Sequence, residues 1–241
     1  MTESGLILKD VGFSQQGKAI LSGISLELGE KRIGIAGRNG SGKTTLLRVM
    51  AGLVAPSSGT VLLDGIDPWT DRKAALSRVG ILFQNPDHQI IFPTVGEELA
   101  FGLRQMGQTD ATAREAVARI LANEGRAHWA SAPVHTLSQG QRQYLCLLAV
   151  LAMGPGTILL DEPFAALDMP TQIRLSRRLE TLEQRLIVVS HDPDVLAEME
   201  RVVWIEGGRV QSDGPAGPVL EEFAREMKRL GAVDADADLS G

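Results

Sequence analysis

Four short runs of apolar residues punctuate the chain: RIGIA (32–36), VGILF (79–83), TILLD (157–161) and RLIVVS (185–190). Runs this short and this continuously apolar read as strands buried on both faces. Between them apolar residues recur at three- and four-residue spacing in GKTTLLRVMAGL (42–53), DATAREAVARILANEG (110–125) and TQIRLSRRLETLE (171–183), the pattern of amphipathic helices. Buried strands alternating with helices predict an α/β fold on a mostly parallel sheet covered on both sides. GLILKDVGFS (5–14), GISLELGE (23–30), TVLLDG (60–65) and RVVWIEGGRVQSDG (201–214) instead predict antiparallel strands. No repeat or low-complexity linker divides the chain, so one domain is expected over 1–230. The remainder, GAVDADADLSG (231–241), is small and acidic and reads as a mobile tail without chemistry.

Composition narrows the function classes. The 241 residues carry a formal charge of −6, which argues against a surface built to neutralise nucleic-acid phosphates. The longest apolar run, LCLLAVLAM (145–153), is far short of the roughly 20 residues that span a bilayer. The first ten residues, MTESGLILKD, show no basic stretch followed by an apolar one, so no secretory signal is expected. The one cysteine, Cys146, lies inside the apolar run and reads as a core thiol. With no partner for an intramolecular disulfide, a reducing cytoplasm is the expected compartment.

The chemistry begins directly after RIGIA. GRNGSGKTT, spanning Gly37, Arg38, Asn39, Gly40, Ser41, Gly42, Lys43, Thr44 and Thr45, fits the phosphate-loop pattern between a strand and a helix. Its glycines let the backbone wrap closely and aim amides at phosphate oxygens. Lys43 adds a positive charge at the terminal phosphates, Thr44 offers a hydroxyl to Mg²⁺, and the helix start presents its positive end. A second element, TILLDEP, delivers Asp161 to the carboxyl end of a strand, where it would hold Mg²⁺, with Glu162 next to it as a general base for water. A third, LSQGQRQ (137–143), opens a long helix with Ser138 as its N-cap, and a second anion site in a chain that already has a phosphate loop suggests service to another subunit's nucleotide.

The series GRNGSGKTT, Gln84, LSQGQ, LLDEP, AALD (165–168) and His191 in VVSHD, in that order, resembles the ATP-binding subunits of ABC transporters over nearly the whole chain. That resemblance implies a P-loop ABC ATPase fold: a mostly parallel core, an antiparallel β subdomain, and a helical signature subdomain at about 86–154. It implies ATP and Mg²⁺ as cofactors, with Thr44, Gln84 and Asp161 at the metal. It further implies Glu162, His191, Gln84 and Lys43 as the catalytic set, and two subunits sandwiching two nucleotides. Each nucleotide would then meet Ser138, Gly140 and Gln141 in trans, with Asp168 linking the two sites across the dimer, within a homodimer or a heterodimer with a paralogue. Two positions depart from the family pattern. Gln139 replaces the first signature glycine, and Gln15 stands where an adenine-stacking aromatic is usual, with Phe13 assigned to the core. His128 and His135 read as ordinary residues.

The stretch FQNPDHQIIFPTVGEELAFG (83–102) mixes apolar and acidic residues in one loop. It resembles the corresponding stretch of energy-coupling factor transporters, importers of vitamins and of cobalt or nickel ions, and is most similar to the biotin-uptake branch. In that family it meets a helix of the membrane subunit. Ile90, Ile91 and Phe92 are therefore expected to line a groove, with Asp87, Glu97 and Glu98 facing arginines of the partner, whereas Leu99 and Phe101 are expected in the core. The implied partners are a transmembrane coupling protein and a substrate-binding membrane protein, with the chain held peripherally at the cytoplasmic face of the membrane. Among ABC ATPases, the DNA-repair members carry long coiled-coil insertions before the signature, and this sequence has none.

Overall fold

The computed structural model describes residues 5–231; the acidic segment 232–241 lies outside them. Two sheets organise the chain. A three-stranded antiparallel sheet has the order β2-β1-β4, from β1 (Leu6–Gln15), β2 (Lys18–Leu28) and β4 (Ser58–Leu63). A six-stranded sheet has the order β5-β6-β7-β3-β8-β9. Its strands are β3 (Arg32–Ala36), β5 (Val79–Leu82), β6 (Thr157–Asp161), β7 (Arg185–Val189), β8 (Arg201–Glu206) and β9 (Arg209–Pro215). All neighbouring pairs in it are parallel except β8 with β9. The four short apolar runs form β3, β5, β6 and β7, and their residues are almost all buried because helices cover both sheet faces.

The largest core cluster joins the small sheet to the six-stranded one through α1 (Lys43–Met50), whose Leu46, Leu47, Val49 and Met50 are buried, and takes in Ala75 of the short α2 (Arg72–Leu76). Phe13 packs at the edge of this cluster, as expected, while Gln15 ends β1 exposed. A second cluster is built by α3 (Val95–Gln105), α4 (Asp110–Asn123) and one face of α5 (Gln139–Ala152). The other side of α5, including Leu147 and Val150, packs with α6 (Met169–Glu180) against β5, β6 and β7. Thus α5 belongs to both bodies and carries the signature segment at its start.

Among the described residues the longest helix was not anticipated. α8 (Ala216–Gly231) follows β9, and its Ala216 and Val219 pack with Leu196 of α7 (Pro193–Ala197) against Ala36, Val202 and Trp204. Phe223 meets Trp204 edge-on at 5.5 Å between ring centres. Gly217 and Pro218 in its first turn mask the helix in the sequence, although Val219, Leu220, Phe223 and Met227 keep helical spacing.

Candidate active site

β3, β6 and β7 are adjacent and parallel, so the loops after them converge at one edge of the sheet. After β3 the chain turns at Gly37, Gly40 and Gly42, all at positive φ, and enters α1 at Lys43. Gly37 is pressed against the sheet: a Cβ there would lie 2.2 Å from the Ile205 carbonyl oxygen and 2.7 Å from Ser41 Oγ. Only a residue without a side chain fits, which is why the loop can lie flat over the end of β8. Lys43 is buried and folds back over the loop, its Nζ donating to the carbonyls of Gly37 (2.7 Å) and Arg38 (2.9 Å). Burial lowers its pKa, and the carboxylates of Glu162, Asp161 and Glu206 oppose that shift.

Asp161 ends β6 beside this loop, and the Thr44 hydroxyl donates to its Oδ1 at 3.2 Å. Burial raises the Asp161 pKa; the Thr44 hydrogen bond opposes the rise and the neighbouring Glu162 adds to it. Glu162 adopts φ 46°, a left-handed conformation unusual outside glycine, and its amide donates to Val189 of β7. That kink swings its carboxylate to His191, with Nδ1 2.9 Å from Oε2. His191 follows the end of β7 and is itself exposed.

These groups line one cleft of about 1300 Å³. It gathers Gly37, Arg38, Asn39, Gly40, Gly42, Lys43, Thr44, Thr45, Gln84, Asp161, Glu162 and His191. Ser41 sits beneath the loop, buried, with its hydroxyl unpartnered within the protein. A lysine, a helix N-terminus and loop amides around a large opening suit a nucleoside polyphosphate. Asp161, Thr44 and Gln84 offer one carboxylate, one hydroxyl and one amide oxygen to a cation. That sparse all-oxygen set fits a hard divalent ion that keeps water and takes its other ligands from phosphates. Among the described residues no cluster of three or more His, Cys, Asp or Glu side chains is arranged to hold a metal by itself.

Ser138, Gly140, Gln141 and Asp168 do not line this cleft. Ser138 caps α5, accepting from the Gln141 amide, while the Gln141 side chain accepts from the Ser138 amide at 2.7 Å. Asp168 caps α6 through the Thr171 amide. Gln139 is exposed at the start of α5. Sequence reasoning missed the cleft's far walls: Lys18, Ala19 and Ile20 of β2, and Leu220, Phe223 and Met227 of α8. Their helical spacing was the available signal for the last three.

The acidic loop corrects one expectation. Glu98 is only 6% exposed, and its Oε2 accepts from the amides of both Ile91 and Phe92 at 2.9 Å, so it anchors the loop and does not face a partner. Asp87 pairs with Arg142 at 3.1 Å, and the Glu97 carboxylate accepts from the Thr94 hydroxyl at 2.6 Å. Ile90 packs between two core clusters and Phe92 lies 5.1 Å from Phe101, leaving Ile91, 69% exposed, as the apolar residue the loop presents. Leu99 is fully buried and Cys146 is buried, its thiol pushed up to about 12 by desolvation. His128 and His135 are exposed.

A phosphate loop, an Asp-Glu strand end, a histidine reaching the glutamate and a glutamine at the rim define a nucleotide-hydrolysing P-loop domain. The ABC transporter family model matches residues 21–165, and the chain belongs to that family as an ATP-binding, ATP-hydrolysing subunit. It is 48% identical to the biotin transport ATP-binding protein BioM of Rhodobacter capsulatus, over 93% of this chain and 96% of the relative. Its fold matches cbiO1 of Clostridium perfringens, described as part of the ABC transporter complex cbiONQ, with a TM-score of 0.76 and 29% identity over 93% and 94% of the two chains. It also matches the ATP-binding cassette MJ0796, solved as a dimer bound to ADP and Pi, with a TM-score of 0.74 and 26% identity over 88% and 98%.

Proposed function

We propose that this chain is the ATPase motor of an energy-coupling factor importer that takes up biotin. The observation that carries the substrate is the 48% identity to a biotin transport ATPase along nearly the full length of both chains. The loop at 87–92, with Ile91 exposed and its backbone anchored by Glu98, offers a firm apolar knob to a helix of a transmembrane coupling protein. A substrate-binding membrane protein completes the assembly, and the motor sits peripherally at the cytoplasmic face. Among the described residues no helix is long and apolar enough to cross a membrane.

In this reading ATP lies on the phosphate loop with Lys43 and the loop amides at its phosphates. Thr44, Asp161 and Gln84 would hold Mg²⁺, which supplies neutralisation of the phosphate charge. Glu162 takes the proton from the attacking water, and His191, 2.9 Å from that carboxylate, holds it toward the terminal phosphate. Ser138, Gly140, Gln141 and Asp168 act on the nucleotide of a second copy, an arrangement supported by their position outside the chain's own cleft. The test is uptake of labelled biotin, and in parallel of Co²⁺ and Ni²⁺, in cells carrying either the native chain or E162Q. Selective loss of biotin uptake is the expected result. Loss of metal uptake alone would overturn the substrate, and loss of neither would overturn the importer assignment.

A further inference from the structure

Gly140 sits in the first turn of α5, where ordinary helical geometry makes no demand for glycine and an alanine would be favoured by about 1 kcal/mol. The structure shows a close approach to its Cα. Within the chain that neighbour is Thr171, in the first turn of α6: a Cβ on Gly140 would lie 2.5 Å from Thr171 Cγ2, 3.3 Å from its Oγ1 and 3.4 Å from its Cβ. Thr171 is β-branched and is tied at two points. Its hydroxyl accepts from Arg174 Nη2 at 2.8 Å, and its amide donates to Asp168 Oδ1 at 3.0 Å. The next residue, Gln172, donates through Nε2 to the carbonyls of Phe164 (3.2 Å) and Leu167 (3.1 Å). The first turn of α6 thus grips the loop 164–168 with the Gln172 side chain and the Thr171 amide, and touches the signature helix with one methyl group.

We infer that Thr171 is a positioning residue that locks the signature turn at Ser138–Gln141 to the loop bearing Asp168, so that both reach the second subunit's nucleotide as one rigid unit. This rests on the in-trans reading given above for where the two segments act. The contact itself is internal to one chain. Alanine at 140 would force the two helices apart by about 1 Å to restore van der Waals separation, and a displacement of that size costs roughly 100-fold in turnover where groups must be aligned.

The experiment is a double-mutant cycle on purified protein. G140A is expected to lower kcat for ATP roughly 100-fold while leaving the Kd for ATP within about twofold, since the phosphate loop is untouched. Thr171→Ser removes the obstructing methyl and keeps the hydroxyl that accepts from Arg174. In the T171S background the same G140A change should therefore cost less than tenfold. If the cost of alanine is equal in both backgrounds, or if G140A has no effect, the joint is overturned. Thermal unfolding of all four proteins separates realignment from misfolding: recovery of Tm without recovery of kcat also overturns it. Mixtures of G140A with E162Q chains test the in-trans reading independently. Turnover above that of either variant alone requires one intact composite site, and its absence overturns the in-trans assignment without touching the cycle.

Discussion

Replacing Glu98 by alanine would remove the carboxylate that receives the amides of Ile91 and Phe92 in the loop before α3. The Glu98 Oε2 receives two backbone amides, Ile91 and Phe92, each at 2.9 Å, from a carboxylate that is 6% exposed. A hydrogen bond to a charged group contributes about 1.5–3 kcal/mol, and two sharing one oxygen give about 2–4 kcal/mol. For a chain of this length each kcal/mol moves Tm by roughly 2–4 °C, so E98A should unfold about 5–15 °C below the native protein. E98Q retains an oxygen able to accept both amides without the charge and should show about half the shift. Thermal unfolding followed by circular dichroism reads the stability. Hydrogen exchange at the amides of Ile91 and Phe92 reads the anchor directly. A shift under about 2 °C in E98A, or exchange at those two amides unchanged, would refute the reasoning.

Three further expectations follow from the cleft. E162Q should bind ATP with little change but lose turnover by at least about 100-fold and accumulate as an ATP-bound dimer, read by ATPase assay and size-exclusion chromatography; normal turnover would remove Glu162 from the role of base. D161N should raise the Tm of the nucleotide-free protein while weakening Mg²⁺-dependent ATP binding. Because burial raises the Asp161 pKa, the folded chain holds that proton more tightly than the unfolded one. Its penalty is therefore absent below the ordinary aspartate range, grows as pH rises to the elevated pKa, and is full above it, so the gain from D161N should shrink on acidification. G37A, whose new Cβ would meet the Ile205 carbonyl at 2.2 Å, should lose about 1–3 kcal/mol of stability and weaken ATP binding at least tenfold, measured by unfolding and by calorimetric titration.

What could be read from the sequence was what depends on local geometry. The phosphate loop is legible because its pattern is complete within nine consecutive residues between a strand and a helix, although the clash that demands Gly37 is with distant Ile205, and β6 because a strand buried on both faces writes a continuous apolar run that ends at Asp161. What escaped depends on distant contacts. The first half of β2, from Lys18, was not anticipated because β1 and β2 pair with repeated register shifts that break simple alternation. Glu98 looked like one of three acids available to a partner, since nothing in its own helix tells that two amides six and seven residues earlier turn back to it. The close neighbour of Gly140 within the chain lies 31 positions later, at Thr171, and no spacing rule links them. Gln84, Asp161, Glu162 and His191 come from three separate strand ends, and only their common order along the chain announced that they would meet.

The burial of Cys146 has a practical consequence. The chain has one sulfhydryl, sealed between α5 and the sheet and pushed up to about 12, so it is inert toward alkylating reagents at neutral pH. A cysteine introduced at an exposed position such as Ile91 would then be the single reactive handle on the native fold. Fluorophores, spin labels or crosslinkers placed there would report from the loop before α3 alone, with no need to strip a background thiol from the protein first.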